Sequence, residues 1–219
     1  MKKTKPYFML VIYFFSVVIP IFSVVVRALL PHVLHSTFSE PALIGIEYTL
    51  LFCITMSLYG KDVWDSFAYL KQKPFKKIFF VLFLYISSLL LLFVLLYVLD
   101  IPPEQTENNQ IVLEYIKSVP FLWALILISV FGAIVEEVVF RHIMIGHFSK
   151  KIPTFLAVSL SMTCFVLLHS FHYPELVHYI PLTLMITTSY LVSGKNMSIS
   201  FLFHFINNAI SVIALYHQP

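Results

Sequence analysis

The sequence predicts an all-α, polytopic membrane protein with about seven transmembrane helices. Of its 219 residues, 59% are hydrophobic and only 11% are charged, whereas charged residues make up about a quarter of a soluble domain. No polar stretch is long enough to build a large soluble domain. In lipid the backbone has to satisfy its own hydrogen bonds, so long apolar runs in such a chain predict helices.

Seven apolar segments mark these helices. They cover residues 7–30, 41–60, 78–99, 119–148, 152–171, 177–193 and 197–216. A helix needs about 20 residues to span a bilayer, and the sixth segment is short by that measure. The polar stretch Pro102–Ser118 separates three plain segments from four that carry polar residues. We therefore expect a scaffold of transmembrane helices in residues 1–116 and a four-helix catalytic core in residues 117–214.

The lysines predict the orientation of the chain in the membrane. If the segments alternate across the bilayer, nearly all loop lysines lie on one side, which marks that side as cytoplasmic. These are Lys2, Lys3, Lys5, Lys61, Lys71, Lys73, Lys76, Lys77, Lys150, Lys151 and Lys195. The acids of the opposite side are Glu40, Asp100, Glu104, Glu107, Glu114 and Glu175. We therefore expect the N-terminus in the cytoplasm and the C-terminus, at Pro219, outside.

Two adjacent glutamates, Glu136 and Glu137, lie inside the fourth segment. A charged side chain at the centre of a bilayer costs about 2.5–3.5 kcal/mol even on the insertion scale, so both carboxylates need a reason to be there. Helical residues four apart share a face, which predicts that Glu137 pairs with Arg141. Glu136 points elsewhere and is free to act on another group. Gly132, one turn earlier, leaves room beside Glu136.

Three later side chains are expected at a similar depth. Counted from the turn at residues 149–153, Glu136 and His169 lie about 20 and 25 Å along their antiparallel helices. His204 and Asn208 are four residues apart, share a face of the last segment and lie about 12 and 18 Å into it. The sequence therefore predicts that these four side chains surround one cavity, opening to the cytoplasmic side.

Two kinds of chemistry suit these residues. A carboxylate in a low-dielectric cavity can act as a general base, so Glu136 with His169 could activate a water while His204 and Asn208 stabilise an oxyanion. Alternatively, Glu136, His169 and His204 could hold a catalytic zinc with an open position for water. The H-E-x-x-H signature of soluble zinc proteases is absent from the sequence. The structural alternative is a glutamate pair buried against Arg141 and a lysine.

These motifs resemble those of the CPBP (Abi) family of intramembrane proteases. That family includes the Ras-converting CAAX prenyl protease and bacterial proteins related to bacteriocin self-immunity, among them lysostaphin resistance protein A-like domains. Its pattern is E-E-x-x-x-R, then F-x-x-x-H, then H-x-x-x-N. This chain reads Glu136-Glu137-Val-Val-Phe-Arg141, Phe165-Val-Leu-Leu-His169 and His204-Phe-Ile-Asn-Asn208. The resemblance covers roughly residues 117–214.

The resemblance implies a role for each matched residue. Glu136 would activate the water with His169, His204 and Asn208 would stabilise the oxyanion, and Glu137 and Arg141 would support the site. The family has been described both as metalloproteases and as metal-free glutamate proteases, so zinc remains open as a cofactor.

The function expected from the resemblance is that of an intramembrane endopeptidase in a bacterial plasma membrane. It would cleave membrane-associated peptides or protein tails, in bacteriocin self-immunity or in peptide pheromone processing. The expected partners are such substrates and membrane lipids, and no nucleic acid. The alternative is a non-catalytic immunity or interaction protein on the same fold. A proton-relay transporter ranks last, because the sequence shows no internal repeat and no paired broken helices.

Overall fold

The computed structural model describes residues 4–19, 21–34, 38–102 and 106–218. Four residues used in the sequence analysis lie outside this part of the chain: Lys2, Lys3, Glu104 and Pro219. The described part contains helices and no strands, which confirms the predicted all-α class. Its helices are α1 Lys5–Val18, α2 Ile21–Leu34, α3 Glu40–Lys71, α4 Pro74–Val98, α5 Glu107–Ser118, α6 Phe121–Lys150, α7 Thr154–His169, α8 Tyr173–Val192 and α9 Met197–Tyr216.

The helices make this a multi-pass membrane protein. Four of the described helices, α3, α4, α6 and α9, are long and apolar enough to cross a bilayer, and α1 and α7 are shorter apolar helices. The chain exposes many large apolar side chains, as a lipid-facing surface requires. The predicted segments from the second to the seventh overlap, in order, α3, α4, α6, α7, α8 and α9.

The first predicted segment, residues 7–30, is divided between two helices. Helix α1 ends at Val18 and α2 begins at Ile21. Between them, Ile19 has an extended backbone, with φ −116° and ψ 99°. Pro20 follows in the sequence, and a proline drives the preceding residue out of the helical region. Hydropathy alone did not predict this break.

The polar stretch Pro102–Ser118 contains a helix that the sequence analysis did not predict. Thr106 begins α5, and its hydroxyl oxygen accepts a hydrogen bond of 3.2 Å from the backbone N–H of Asn109. Such an N-cap satisfies one of the free donors of the first turn. The Thr106 hydroxyl also lies 3.1 Å from the hydroxyl of Tyr179, which links the start of α5 to α8.

Helix α6 carries the two glutamates and is the most buried of the four long helices. It contains two π-helical stretches, Leu127–Gly132 and Glu137–His147, on either side of Glu136. π-Helical turns in α-helices occur frequently at functional sites. Helices α1, α3, α7 and α9 pack against α6. The hydroxyl of Ser161 on α7 donates a 2.8 Å hydrogen bond to the backbone carbonyl of Phe140 on α6.

The helices of the predicted scaffold contact those of the predicted core. Helix α4 packs against α8 and α9, and α1 and α3 pack against α6. The main hydrophobic cluster joins Met9 and Tyr59 of the first region to Phe140 and Phe165 of the second. A division of the chain at residue 116 remains a prediction, but the two regions share one core.

Candidate active site

One large cavity of about 700 Å³ lies among the helices. Glu136, His169, His204 and Asn208 all line it. They come from α6, α7 and α9, so the structure brings together the four side chains that the sequence analysis placed at one depth. Their catalytic roles remain predictions. The volume falls within the range of roughly 300–1,000 Å³ that is typical of ligand sites.

The imidazole of His204 lies between the two glutamates. Its Nδ1 is 3.0 Å from Oε1 of Glu137, and its Nε2 is 3.6 Å from Oε2 of Glu136. A carboxylate oxygen accepts hydrogen bonds, so Nδ1 carries the proton of the shorter contact. The ring is therefore fixed by Glu137 and presents Nε2 towards Glu136 and the cavity.

Glu137 has a second partner on its own helix. The guanidinium nitrogen Nη1 of Arg141 lies 3.3 Å from Oε1 of Glu137, and both side chains are 1% exposed. The Arg141 guanidinium also stacks over the ring of Phe165, at 4.4 Å from its centre. Neither Glu137 nor Arg141 lines the large cavity. The predicted Glu137–Arg141 contact is thus present, in a position that supports the cavity wall.

His169 lies at the C-terminal end of α7, with its ring next to two aromatic side chains at tilted angles. The ring centres of Phe165 and Tyr179 are 4.6 and 4.8 Å away. Nδ1 of His169 is 2.8 Å from the backbone carbonyl oxygen of Phe165. Because a carbonyl can only accept, Nδ1 donates, and the neutral ring keeps its lone pair on Nε2. His169 is therefore in the tautomer that can accept a proton at Nε2.

Asn208 and its neighbour Asn207 both line the cavity. The amide of Asn208 donates a 3.3 Å hydrogen bond to the carbonyl of Ile128, and its side-chain oxygen accepts one of 3.2 Å from the amide of Asn207. The NH₂ group of an asparagine has two hydrogens. Asn208 thus keeps one donor for a ligand while its orientation is fixed by two bonds.

The cavity does not open to the lysine-bearing end, and that expectation was wrong. Its lining includes Glu40, Asn108, Glu114 and His178, which belong to the ends of the helices opposite the lysines. Towards the lysine-bearing end of α6, side chains such as Ile143 are fully buried and do not line the cavity. Counting residues along helices predicted that the four side chains share one cavity, but it could not reveal that α5 frames the cavity at the other end.

The structure also places residues at the cavity that the sequence analysis did not identify. Tyr48 of α3 and Tyr115 of α5 line it with Glu136. With 22 Phe and 12 Tyr in the chain, no pattern singled out these two tyrosines. The N-cap sequence at Thr106 was the one signal that could have revealed α5.

A zinc site does not form from these side chains as they stand. Among the residues described by the structure, no three His, Cys, Asp or Glu side chains converge in the way that holds a metal ion. Glu136, His169 and His204, the ligands expected for zinc, line the same cavity without forming such a cluster. We therefore derive no step through a metal, and zinc remains a prediction for metal analysis to test.

Comparison with known proteins agrees with the motifs. Residues 118–210 match the family model described as Type II CAAX prenyl endopeptidase Rce1-like. A protein of Bacillus subtilis (strain 168) named "Putative membrane peptidase YdiL" is 35% identical over 66 residues, which are 30% of this chain. The match spans about a quarter (26%) of that relative's length. No solved structure matches the chain. The matched region contains all three motifs, and both matches support its assignment to the CPBP family.

Proposed function

We propose that this protein is an intramembrane endopeptidase that hydrolyses peptide bonds with a water activated by Glu136. The observation that carries the proposal is the environment of the Glu136 carboxylate. It lines a 700 Å³ cavity, and its Oε2 is buried without a hydrogen-bond partner among the described residues. The Oε2 of Glu137 also lacks such a partner, but Glu137 lies 3.3 Å from Arg141 and outside the cavity, so of the two glutamates only Glu136 presents its carboxylate to a ligand.

The geometry supports a different catalytic role for each of the four side chains. Glu136, with His169 beside the same cavity, accepts a proton from water, and the resulting hydroxide attacks the carbonyl carbon of the scissile bond. The proton then passes to the nitrogen of the leaving amine. Asn208 donates to the oxyanion, as does His204 when it carries protons on both ring nitrogens. Glu137 stabilises that doubly protonated ring through its 3.0 Å contact with Nδ1.

The substrates we propose are membrane-associated peptides or protein tails. Both the family match and the named relative are of peptidase type, which supports this class. The cavity wall mixes apolar side chains such as Leu89 and Leu182 with polar ones at its mouth. We further propose a role in bacteriocin self-immunity or in peptide pheromone processing.

For the orientation, we propose a bacterial plasma membrane with the N-terminus inside. Contacts at the two ends of the bundle support this. At one end, the ammonium group of Lys195 donates a 2.7 Å hydrogen bond to Ser149, so two lysine-bearing turns meet. At the other end, the backbone N–H of Glu107 donates a 3.0 Å hydrogen bond to Glu175. The positive-inside rule then places the cavity mouth on the outer side.

The proposal is tested by incubating purified wild type and Glu136→Ala in detergent with a library of membrane-tethered peptides, read by mass spectrometry. We expect cleavage by the wild type only. Metal content measured on the same samples chooses between zinc and metal-free water activation. Equal cleavage by both proteins would contradict the proposal. If neither cleaves and Glu136→Ala still protects cells from a bacteriocin, the non-catalytic immunity alternative replaces it.

A further inference from the structure

A second, much smaller cavity of about 20 Å³ lies beside Glu136, enclosed between α1, α3 and α6. We call it the small chamber. One water molecule needs about 10–15 Å³ of such volume and two to four polar partners. The small chamber therefore has room for one water and not for a larger ligand.

The polar groups of the small chamber are the side chains of Tyr13, Tyr48 and Glu136. These three side chains reach the same chamber from α1, α3 and α6. The remaining lining is made of small or apolar residues such as Gly132 and Leu51. A water there has three possible hydrogen-bond partners, which is the usual number for a buried water.

One oxygen of the Glu136 carboxylate lacks a hydrogen-bond donor among the described residues, and such a water could supply it. Its Oε2 is buried without a hydrogen-bond partner in the described part of the chain, and the nearest ring nitrogen of His204 is 3.6 Å away. A separation beyond about 3.5 Å is longer than a direct hydrogen bond, so His204 does not satisfy this oxygen. Glu136, Tyr48 and Gly132 line both the small chamber and the large cavity, so the two spaces meet at the carboxylate.

We propose that the small chamber binds one water molecule that donates a hydrogen bond to Glu136 and is held by the hydroxyls of Tyr13 and Tyr48. Gly132 lines the small chamber without a side chain, and a Cβ atom at this position would make only an ordinary 3.6 Å contact with the backbone oxygen of Leu127.

In catalysis, which rests on the proposed function, Tyr48 is a positioning residue. It acts through the bound water on the orientation of the Glu136 carboxylate. Tyr13 and Tyr48 belong to α1 and α3, outside the family match at residues 118–210. Side chains of α1 and α3 thus contribute to the site that α6, α7 and α9 form.

Binding of water is tested without any substrate by radiolytic hydroxyl labelling of the wild type in detergent, read by mass spectrometry. Side chains beside an ordered internal water are oxidised faster than equally buried side chains without one. Tyr13 and Leu51 are compared with Tyr59 and Leu43, which are similarly buried and line neither cavity. We expect excess labelling of Tyr13 and Leu51, and loss of that excess in Val135→Ile, which fills the chamber. Labelling at the control level in the wild type would overturn the proposal.

The effect on catalysis is tested with Tyr48→Phe, which keeps the ring and removes the hydroxyl. We expect kcat to fall about ten-fold with little change in KM, because the water loses one of the hydrogen bonds that hold it beside Glu136. Tyr59→Phe on the same helix is the matched control and is expected to keep the wild-type kcat. Unchanged kcat in Tyr48→Phe would overturn the positioning role. If the wild type cleaves no peptide, the proposed function fails, and the labelling experiment still decides whether the chamber binds water.

Discussion

The His204 imidazole joins the two adjacent glutamates of α6, with Nδ1 3.0 Å from Glu137 and Nε2 3.6 Å from Glu136. The two carboxylates nevertheless have different surroundings. Glu137 is 1% exposed and has Arg141 as a second partner, whereas the Glu136 side chain is 22% exposed and lines the large cavity. We infer that Glu137 maintains the structure of the site and that Glu136 performs its chemistry.

Glu137→Gln is expected to destabilise the protein. The change leaves the buried Arg141 without its ion-pair partner, and breaking a buried pair in this way costs about 3–5 kcal/mol. Glu136→Gln keeps the Glu137–Arg141 contact and is expected to change the free energy of unfolding by less than about 1 kcal/mol. Denaturant titration in detergent micelles measures both variants, and equal losses would contradict the different roles.

The two neighbouring asparagines are expected to differ in their effect on cleavage. Asn208→Ala removes the donor that we assign to the oxyanion, and loss of one such donor lowers kcat by about 100- to 1,000-fold. Asn207→Ala removes only the 3.2 Å hydrogen bond to the Asn208 side chain and is expected to have a much smaller effect. Cleavage rates of both variants on one peptide measure the difference. A larger loss of cleavage rate in Asn207→Ala than in Asn208→Ala would contradict the assignment of the oxyanion donor to Asn208.

Gly146→Ala is expected to disturb the packing of α6. A Cβ atom at this position would lie 2.7 Å from the hydroxyl of Tyr190, whose side chain is 1% exposed and has little room to move. Overpacking of this kind costs about 1–3 kcal/mol.

Gly60→Ala is the matched control for that change. Its Cβ atom would meet only the Cε of Met56, at an ordinary contact distance of 3.6 Å. Replacing a helical glycine by alanine favours the helix by up to about 1 kcal/mol. Unfolding free energies should therefore move in opposite directions, and a stabilised Gly146→Ala would show that the packing around Tyr190 is looser than described.

The orientation predicts which cysteines a membrane-impermeant maleimide reaches in intact cells. Glu114→Cys places a thiol at the cavity mouth, and Lys71→Cys places one at the lysine-bearing end. Both are made in a background without Cys53 and Cys164, the two cysteines of the chain. We expect labelling of Glu114→Cys in intact cells, and of Lys71→Cys only after permeabilisation. The reverse pattern would place the cavity mouth in the cytoplasm.

Much of the fold and of the site was predictable, because both depend on strong local signals. Apolar runs predict helices, and the fold class is confirmed. The four-residue spacing from Glu137 to Arg141 predicted a contact that the structure contains at 3.3 Å, even within a π-helical stretch. The shared cavity of Glu136, His169, His204 and Asn208 agrees with the similar levels that helix rise predicts for them.

The features that the sequence did not predict depend on contacts between distant helices. The direction of the cavity depends on how α5 packs, and that helix is stabilised by Thr106 and its link to Tyr179 on α8. The place of Tyr48 beside Glu136 depends on how α3 lies against α6, and nothing in the local pattern around Tyr48 specifies that. A helical wheel also could not show that His204 contacts both glutamates, since they lie on different faces of α6.

The most direct test of the account is the rate at which Glu136→Gln cleaves a peptide that the wild type cleaves, with the free energy of unfolding measured on the same preparation. The substitution keeps the shape of the side chain and removes the carboxylate that accepts the proton. We predict a fall in kcat of at least about 100-fold, within the range of general acid–base catalysis, with stability unchanged. A folded Glu136→Gln that cleaves at the wild-type rate would contradict the central claim that Glu136 activates the water.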